Sequence, residues 1–215
     1  MADLFNRNIS LAELKSALWG APEAVFNRSC GGRTLLHVAI VDGKLEFVDW
    51  LLAEFPLLVD LQEGRGNTAL HLVGETLFLK EGKDGALALK MAKYLLGVGA
   101  SIHLRNALGQ TPFLALALRA NEHEKWLEVV RLLLAKGASP DEMDKNGCTY
   151  LHYLADESDI WAPLATYQLL LEAGADVTRQ DIRGRTALDI IKAKRNSEDE
   201  SRRQVAISML EAARN

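Results

Sequence analysis

The chain has 215 residues, of which 48% are hydrophobic and 25% are charged, and its formal net charge is −4. This composition is typical of an ordinary soluble protein and is sufficient for one large domain. The acidic balance disfavours sequence-independent binding to nucleic acid or to an anionic membrane, because such binding needs concentrated positive charge.

The N-terminal segment MADLFNRNIS lacks the basic and apolar regions of a secretory signal, and no apolar stretch approaches the length of a membrane span. The two cysteines, Cys30 and Cys148, are far apart in the sequence, which suits a reducing compartment. We therefore expect a cytoplasmic protein. The cytosol of a host cell is the expected location if the chain is an effector exported by specialised bacterial machinery.

The first predicted element is a helix that begins at Ser10, because Ser10 and Glu13 have the spacing of a capping box. The stretch SLAELKSALWGAPEAVFNRSCGGRT aligns with KLEFVDWLLAEFPLLVDLQEGRGNT, which follows one repeat later. We interpret the first stretch as a second helix whose partner helix is reduced to the first few residues. The sequence therefore predicts an N-terminal capping half-repeat.

A threonine then opens a predicted short helix five times, at intervals of 34 to 43 residues. Three of these threonines begin a Thr-x-Leu-His tetrapeptide, and the other two begin looser copies. A threonine side chain at this place can cap the free amides of the first helical turn. The five threonines are Thr34, Thr68, Thr111, Thr149 and Thr186.

Each of the first four copies continues into a second predicted helix. Its apolar residues have i, i+3, i+7 spacing, which places them in one stripe of a helix. A glycine ends three of these helices, and another glycine lies two residues before every threonine, where it permits a tight turn. One helix pair cannot bury both of its faces, so the units are expected to stack. The stripes are Leu45, Val48 and Leu52; Leu89, Ala92 and Leu96; Leu127, Val130 and Leu134; and Leu164, Tyr167 and Leu171.

The last predicted helix lies in RRQVAISMLEAARN, at the end of the fifth copy. Repeat arrays need polar caps over the cores of their terminal units. We therefore interpret both ends of the chain as caps and expect the array to be complete.

These features resemble the ankyrin repeat family, whose Thr-Pro-Leu-His motif recurs with a period of about 33 residues. The matching stretches include GGRTLLHVAIVDGKLEFVDWLL, GQTPFLALAL with EVVRLLLAKGAS, and DKNGCTYLHYLA with QLLLEAGADV. A tetratricopeptide array would instead carry Trp-x-x-Leu-Gly landmarks, which are absent from the sequence.

The resemblance implies an all-α fold, an ankyrin-repeat solenoid of stacked helix-turn-helix units joined by short β-hairpin fingers. We predict one domain over residues 1–215. Its predicted units are the N-terminal cap 1–28, repeats 29–62, 63–105, 106–143 and 144–180, and the C-terminal cap 181–215.

The resemblance also implies that the motif histidines His37, His71 and His152 are structural, each bonded within its own turn and towards the next repeat. The sequence supports this, because leucine and aspartate replace the histidine in the other two copies. No phosphate-binding loop, Cys-x-x-Cys, His-Glu-x-x-His or nucleophile-elbow motif is present. We therefore expect no catalytic residue, metal or cofactor. We interpret Cys30 and Cys148 as solvent-facing or packing thiols that are too far apart for a disulfide.

In the ankyrin family, the finger tips and the exposed side of the first helices form a concave binding face. Leu108, Met143 and Ile182 are predicted at finger tips, where an apolar side chain has little to pack against, and basic residues lie close by. Such apolar anchors beside arginine are typical of interface hot spots. The alternative is that the three pack against neighbouring fingers. The predicted partner-binding residues are Arg33, Arg65, Asn67, Arg105, Leu108, Gln110, Met143, Lys145, Asn146, Ile182, Arg183 and Arg185.

A second candidate surface comes from the extra residues between the two helices of copies two, three and four. These insertions contain large apolar residues, among them Phe78, Trp126 and Trp161. They could form an apolar strip on the edge away from the fingers. We favour the alternative that they fill gaps in the core, so that the rings are buried.

The sequence thus predicts a non-catalytic module, an adaptor, inhibitor or effector, that binds another protein through its concave face. No nucleic-acid or membrane partner is expected, and the chain is expected to be monomeric when alone. The first alternative is an assembly subunit that docks through the tryptophan-bearing edge. The second is an enzyme or small-ligand binder with an unrecognised site.

Overall fold

The structure is a computed structural model, and it describes residues 9–19, 21–29, 31–78, 85–117, 124–157, 164–194 and 200–214. Helices account for the regular secondary structure of these ranges. The α-helices are α1 (Leu11–Trp19), α2 (Leu35–Val41), α3 (Leu45–Glu54), α4 (Ala86–Gly97), α5 (Pro112–Ala117), α6 (Glu124–Ala135), α7 (Tyr150–Glu157), α8 (Leu164–Glu172), α9 (Ala187–Ala193) and α10 (Glu200–Ala212). Three 3₁₀ helices cover Pro22–Phe26, Pro56–Leu58 and His71–Phe78.

The helices stack in two layers, as the repeat predicted. The inner layer consists of α2, the 3₁₀ helix His71–Phe78, α5, α7 and α9, and each of these helices packs against the next. In the outer layer, α4 packs against α6, α6 against α8, and α8 against α10. This arrangement confirms the predicted solenoid.

Local chemistry explains where the helices begin and end. The Ser10 amide donates to the Glu13 carboxylate at 2.8 Å and the Glu13 amide to the Ser10 hydroxyl at 3.2 Å, so the predicted capping box is present. The same reciprocal bonds join Thr186 and Asp189 at the start of α9. After the outer helices, Gly137 has a φ of 99°, which is the left-handed conformation of a helix stop.

The inner helix of the second repeat differs from the predicted α-helix. Residues His71–Phe78 form a 3₁₀ helix, in which Gly74 takes the place held by Ala117 and Ala155 in the following repeats. A glycine inside a helix costs about 1 kcal/mol relative to alanine, so this sequence is a poor α-helix former. The Thr76 hydroxyl donates to the Val73 carbonyl at 2.8 Å, which supports the tighter turn.

The connectors between repeats are compact hairpin-like turns, and they form no strand within the described part of the chain. Successive fingers are tied by single backbone bonds, for example from Ala107 N to the Arg65 carbonyl at 2.8 Å and from Ile182 N to the Asn146 carbonyl at 3.0 Å. The turn glycine Gly66 has a φ of 77°. A Cβ at that position would lie 2.9 Å from the Ala107 nitrogen, so the next finger occupies the space that a side chain needs.

One continuous apolar core runs through the described helices. The C-terminal ends of three of the four predicted outer-helix stripes lie one residue too late, whereas Leu52, the end of the first stripe, is buried as predicted at 3% exposed. Leu51, Leu95, Leu133 and Leu170 are at most 1% exposed, whereas the predicted stripe ends Leu96, Leu134 and Leu171 are only partly buried. Among the described residues, no helix combines the length and hydropathy that crossing a bilayer requires.

Candidate functional site

The three motif histidines are structural, as predicted. In each, Nδ1 accepts a bond from the backbone amide of the preceding threonine, at 3.1 or 3.2 Å. Nε2 lies 3.0 Å from a carbonyl of the next finger and donates to it. Among the described residues, no group of three histidine, cysteine or acidic side chains could hold a metal ion. The three contacts are His37 with Asn67, His71 with Gln110, and His152 with Arg185.

These bonds require a neutral ring. A proton on Nδ1 would place a second donor against the threonine amide. Burial lowers the pKa of His71 to about 4, although the Gln110 carbonyl that accepts from the ring acts in the opposite direction. Burial likewise lowers the pKa of His37. Both rings are therefore neutral at physiological pH and serve as fixed links between repeats.

Cys148 does not have the surroundings of a nucleophile. The thiol is free and half-buried, and burial, together with the nearby Asp144 and Asp181 carboxylates, raises its pKa to about 11. A thiol with such a pKa carries little thiolate at neutral pH. Cys30 lies outside the described residues.

A repeated device closes the fingers, and sequence reasoning missed it. In four fingers, the residue five positions before the motif threonine accepts hydrogen bonds from the backbone amides two and four positions later. Its side chain therefore holds the turn from inside. Asp181 Oδ1 accepts from the amides of Arg183 and Arg185 at 2.8 and 3.0 Å. The equivalent residues in the earlier fingers are Glu63, Asn106 and Asp144.

These bonds decide the charge state of Asp181. Burial alone would raise the pKa of Asp181. The bonds from the Arg185 and Arg183 amides and from the Arg185 guanidinium outweigh it and hold the pKa below its usual range. Asp181 therefore stays ionised, and its charge is directed into the turn.

The basic residues of the fingers fall into two groups. Some of them bridge neighbouring fingers: the Arg105 guanidinium donates to the Met143 carbonyl, and Lys145 Nζ donates to the Ala107 carbonyl, both at 2.7 Å. Arg65 and Arg183 are exposed, and their guanidinium groups make no hydrogen bond or ion pair to the described residues. Of the other predicted residues, Arg33 and Asn67 are half-buried, Asn146 is exposed, and Arg185 pairs with Asp181 at 2.7 Å.

The three apolar finger tips are exposed. Leu108 is 57% exposed, Ile182 is 72% exposed, and Met143, at 37%, is the most covered of the three. Packing against a neighbouring finger, the alternative that the sequence left open, therefore does not cover Leu108 or Ile182.

Gln110 was predicted to lie on the exposed binding face, but it is buried. Its side chain is 2% exposed, and its amide donates to the Tyr153 hydroxyl at 2.7 Å. That hydroxyl in turn donates to Asp144 Oδ2 at 2.7 Å. The chain of bonds spans the third and fourth fingers, so Gln110 fixes the fingers rather than reaching outward. Sequence reasoning did not single out Tyr153; its place after the motif histidine was the available signal.

A groove of about 390 Å³ lies between the second and third fingers. Arg65 and Leu108 form its finger side, and Leu72, Glu75 and Ala115 line the helix side. The groove is open because Ala115 stands where the next repeat has Tyr153. A basic group, a carboxylate and apolar surface thus meet in a cleft suited to a protruding side chain of another molecule.

At the insertion edge, the favoured interpretation that the large rings are buried can be compared with the structure at Trp126. The Trp126 ring is 0% exposed and belongs to the core, so the prediction of burial is confirmed for this residue. Trp161 and the side chain of Phe78 lie outside the described residues. The most exposed described tryptophan is instead Trp19, at 92%, in the N-terminal α1.

Comparisons with known proteins agree with this architecture. Residues 22–73 match the family described as ankyrin repeats (many copies), and residues 83–181 match ankyrin repeats (3 copies). The chain is 31% identical over 159 residues to the nuclear factor NF-kappa-B p105 subunit of Gallus gallus, which covers 74% of this chain and 14% of that protein. It is 37% identical over 75 residues to the ankyrin repeat and LEM domain-containing protein 1 homolog of Caenorhabditis elegans, covering 35% and 10% respectively.

The chain therefore spans only a small part of these two relatives. A solved structure gives a match over nearly the full length of both chains. It is that of the Bd0816 predatory endopeptidase from Bdellovibrio bacteriovorus in complex with immunity protein Bd3460, with a TM-score of 0.74 and 23% identity, covering 99% of this chain and 98% of that chain. At this identity the likeness shows the fold alone. The repeated motif, the two-layer stack and the family matches together establish that this chain belongs to the ankyrin repeat family.

Proposed function

We propose that this chain is a non-catalytic module that binds another protein through its finger tips and the groove beside them. The observation that carries the proposal is the exposure of Leu108 and Ile182, at 57% and 72%, on turns that are closed by hydrogen bonds to Asn106 and Asp181. An exposed aliphatic side chain on a rigid tip gains free energy when a partner covers it.

Side-chain hydrogen bonds join neighbouring fingers to one another. Arg105 and Lys145 bridge neighbouring fingers, and Gln110 with Tyr153 adds a further link. Because these bonds hold the tips in place before a partner arrives, little ordering entropy is lost on association. The roles of adaptor, inhibitor and effector are all compatible with such rigid display.

The comparisons support a protein partner in general terms. Ankyrin repeats are generally protein–protein interaction modules, and the structural neighbour belongs to a complex of two proteins. The family is typically non-catalytic. The polar groups around the groove argue in the same direction, because Gln110 and Asn106 are already bonded to protein groups rather than directed at a common reaction point.

Docking through the insertion edge is the weaker candidate. Trp126 is completely covered by its own chain and has no surface to offer. We also propose that the isolated chain is monomeric and cytoplasmic. Size-exclusion chromatography with light scattering tests the first statement, and fractionation of the native cells tests the second.

The decisive experiment captures the partner and then asks which surface holds it. Native-source pull-down with mass spectrometry identifies the partner, and calorimetry measures its affinity for the variant L108D/I182D. We expect a loss of affinity of at least about tenfold, since both tips would carry a buried, unpaired charge in the complex.

The matched control is L57D/V205D, which changes two exposed apolar residues (77% and 47%) outside the fingers. This control should bind like the native chain. Equal affinity of the tip variant and the native chain would remove the fingers from the binding site and end the proposal.

A further inference from the structure

The fingers carry a charge opposite to that of the whole chain. We define the finger row as residues 28–33, 62–67, 105–110, 143–148 and 180–185. The chain has a net charge of −4, yet the finger row contains seven basic and three acidic residues. The basic residues are Arg28, Arg33, Arg65, Arg105, Lys145, Arg183 and Arg185.

Of the three acids in the row, Asp181 pairs with Arg185 and offsets its charge, and all three acids are buried. Glu63, Asp144 and Asp181 are only 8%, 9% and 7% exposed. Each carboxylate accepts two backbone amides of its own turn. The negative charge is therefore directed inward and shared with fixed amide dipoles. A molecule that approaches the tips meets basic side chains and not acidic ones.

Two of the basic groups are held in place by bonds to the following finger. Arg28 and Arg105 each reach a carbonyl of the following finger, those of Gln62 and Met143, at 2.7 Å. Arg65 and Arg183 remain exposed beside Leu108 and Ile182, the tips of the following and the same finger. Positive charge thus alternates with exposed aliphatic surface along one edge of the solenoid.

We propose that the finger row binds an acidic segment of the partner protein, with carboxylates opposite Arg65 and Arg183 and aliphatic side chains against the tips. This inference rests on the proposed function and specifies its partner. Complementary charge supplies selectivity and fast association, and the apolar tips supply the longer-lived contact.

The acidic segment has to run along the fingers and not across the inner helices. Glu75 lies on the helix side of the groove, and Asp42 and Asp156 lie near the ends of α2 and α7. A nucleic acid fits this row less well. Single-stranded nucleic acids need aromatic stacking surfaces, and the finger row contains no aromatic residue.

The test uses fluorescently labelled probes and anisotropy at low salt. The acidic probe is a glutamate-rich peptide with interspersed leucines. The comparison probes are the same peptide with lysine in place of glutamate, and an oligothymidylate of equal charge to the acidic peptide. We expect the native chain to prefer the acidic peptide to both, and added salt to weaken that binding. Equal binding of the two peptides, no binding of the acidic peptide, or tighter binding of the oligothymidylate would overturn the proposal.

Two charge variants locate the effect. R65E/R183E should weaken binding of the acidic peptide by at least about tenfold, because each change replaces an attraction with a repulsion. R65Q/R183Q checks the result with a milder change, and thermal melting confirms that both variants fold. K90E/K136E, which alters two exposed lysines of the outer layer, should stay within about twofold of the native chain. Equal losses in the control and in R65E/R183E would reduce the effect to net charge and overturn the proposal.

Measurements with the captured partner separate this inference from the proposed function. If L108D/I182D abolishes binding and R65E/R183E leaves it unchanged, the fingers bind a protein but not an acidic segment. If neither variant changes the affinity, both proposals fail.

Discussion

Replacing His71 with alanine tests how one repeat holds the next. The His71 ring accepts from the Thr68 amide at 3.1 Å and donates to the Gln110 carbonyl at 3.0 Å. The ring is 5% exposed, so water cannot replace these bonds without opening the stack. Removing it leaves the buried Thr68 amide unpaired, whereas the Gln110 carbonyl keeps its bond from the Asn106 amide at 2.9 Å. One unpaired buried group costs about 1–3 kcal/mol of unfolding free energy.

The same ring predicts a specific pH dependence. In the unfolded chain His71 takes up a proton near pH 6.5, whereas burial lowers its pKa in the folded chain to about 4. Between these values the unfolded state binds the extra proton, so acid favours unfolding. The contribution is complete above about pH 6.5 and is lost as the pH falls towards 4. The pKa difference amounts to about 3 kcal/mol, of which about 2 kcal/mol is lost between about pH 7 and pH 5. His37, whose pKa is also lowered by burial, acts in the same direction.

Urea unfolding followed by circular dichroism at the two pH values measures this effect. The native chain should lose more unfolding free energy on acidification than H71A, because the variant lacks the proton-binding group. Carboxylates titrate in both proteins and cancel in the comparison. His103 is exposed, so H103A is the matched control and should follow the native chain. The reasoning is refuted if H71A and the native chain respond equally to pH.

Three further predictions concern the core, the fingers and the tips. Trp126→Ala should lower the unfolding free energy by about 3–5 kcal/mol because it leaves a cavity, and an unchanged melting temperature would show that the ring is not part of the core. Gly184→Ala should cost about 1–2 kcal/mol for its positive φ alone. Gly66→Ala should cost more in the same melts, since the next finger lies 2.9 Å from the added Cβ; equal costs would contradict that close contact. L108D/I182D should change the unfolding free energy by less than about 0.5 kcal/mol per site, and a larger loss in urea melts would mean that the tips pack in the free protein.

Much of the fold could be predicted from the sequence because the repeat is a strong constraint. The recurring threonine and the glycine before it determined where each inner helix begins. The predicted role of His71 also followed, since leucine or aspartate in the same slot of other repeats is incompatible with a shared metal centre. The exposure of Leu108 and Ile182 was predictable from their position at the tips of turns.

The features that were missed depend on contacts between repeats rather than on spacing within them. Gln110 was predicted to face a partner, yet its side-chain amide donates to the hydroxyl of Tyr153, 43 positions later. Periodicity places both residues in their own units but does not specify which side chains meet across the stack. The 3₁₀ helix His71–Phe78 was missed for a local reason, because the threonine motif predicts a helix start and does not report how Gly74 changes the helix type.

The junction between the third and fourth repeats connects stability with binding. The third repeat has Leu114 at the position of the motif histidine. It therefore lacks the ring that bonds to the next finger in the second and fourth repeats. Other side chains supply a link at this junction: the Thr111 hydroxyl donates to the Glu142 carboxylate, and the Gln110 amide donates to the Tyr153 hydroxyl. These bonds lie in or beside the fingers that carry the exposed tips. The residues that link the repeats at this junction therefore also hold the proposed binding surface in place, and a substitution here changes stability and affinity together unless it is confined to a side chain that points outward.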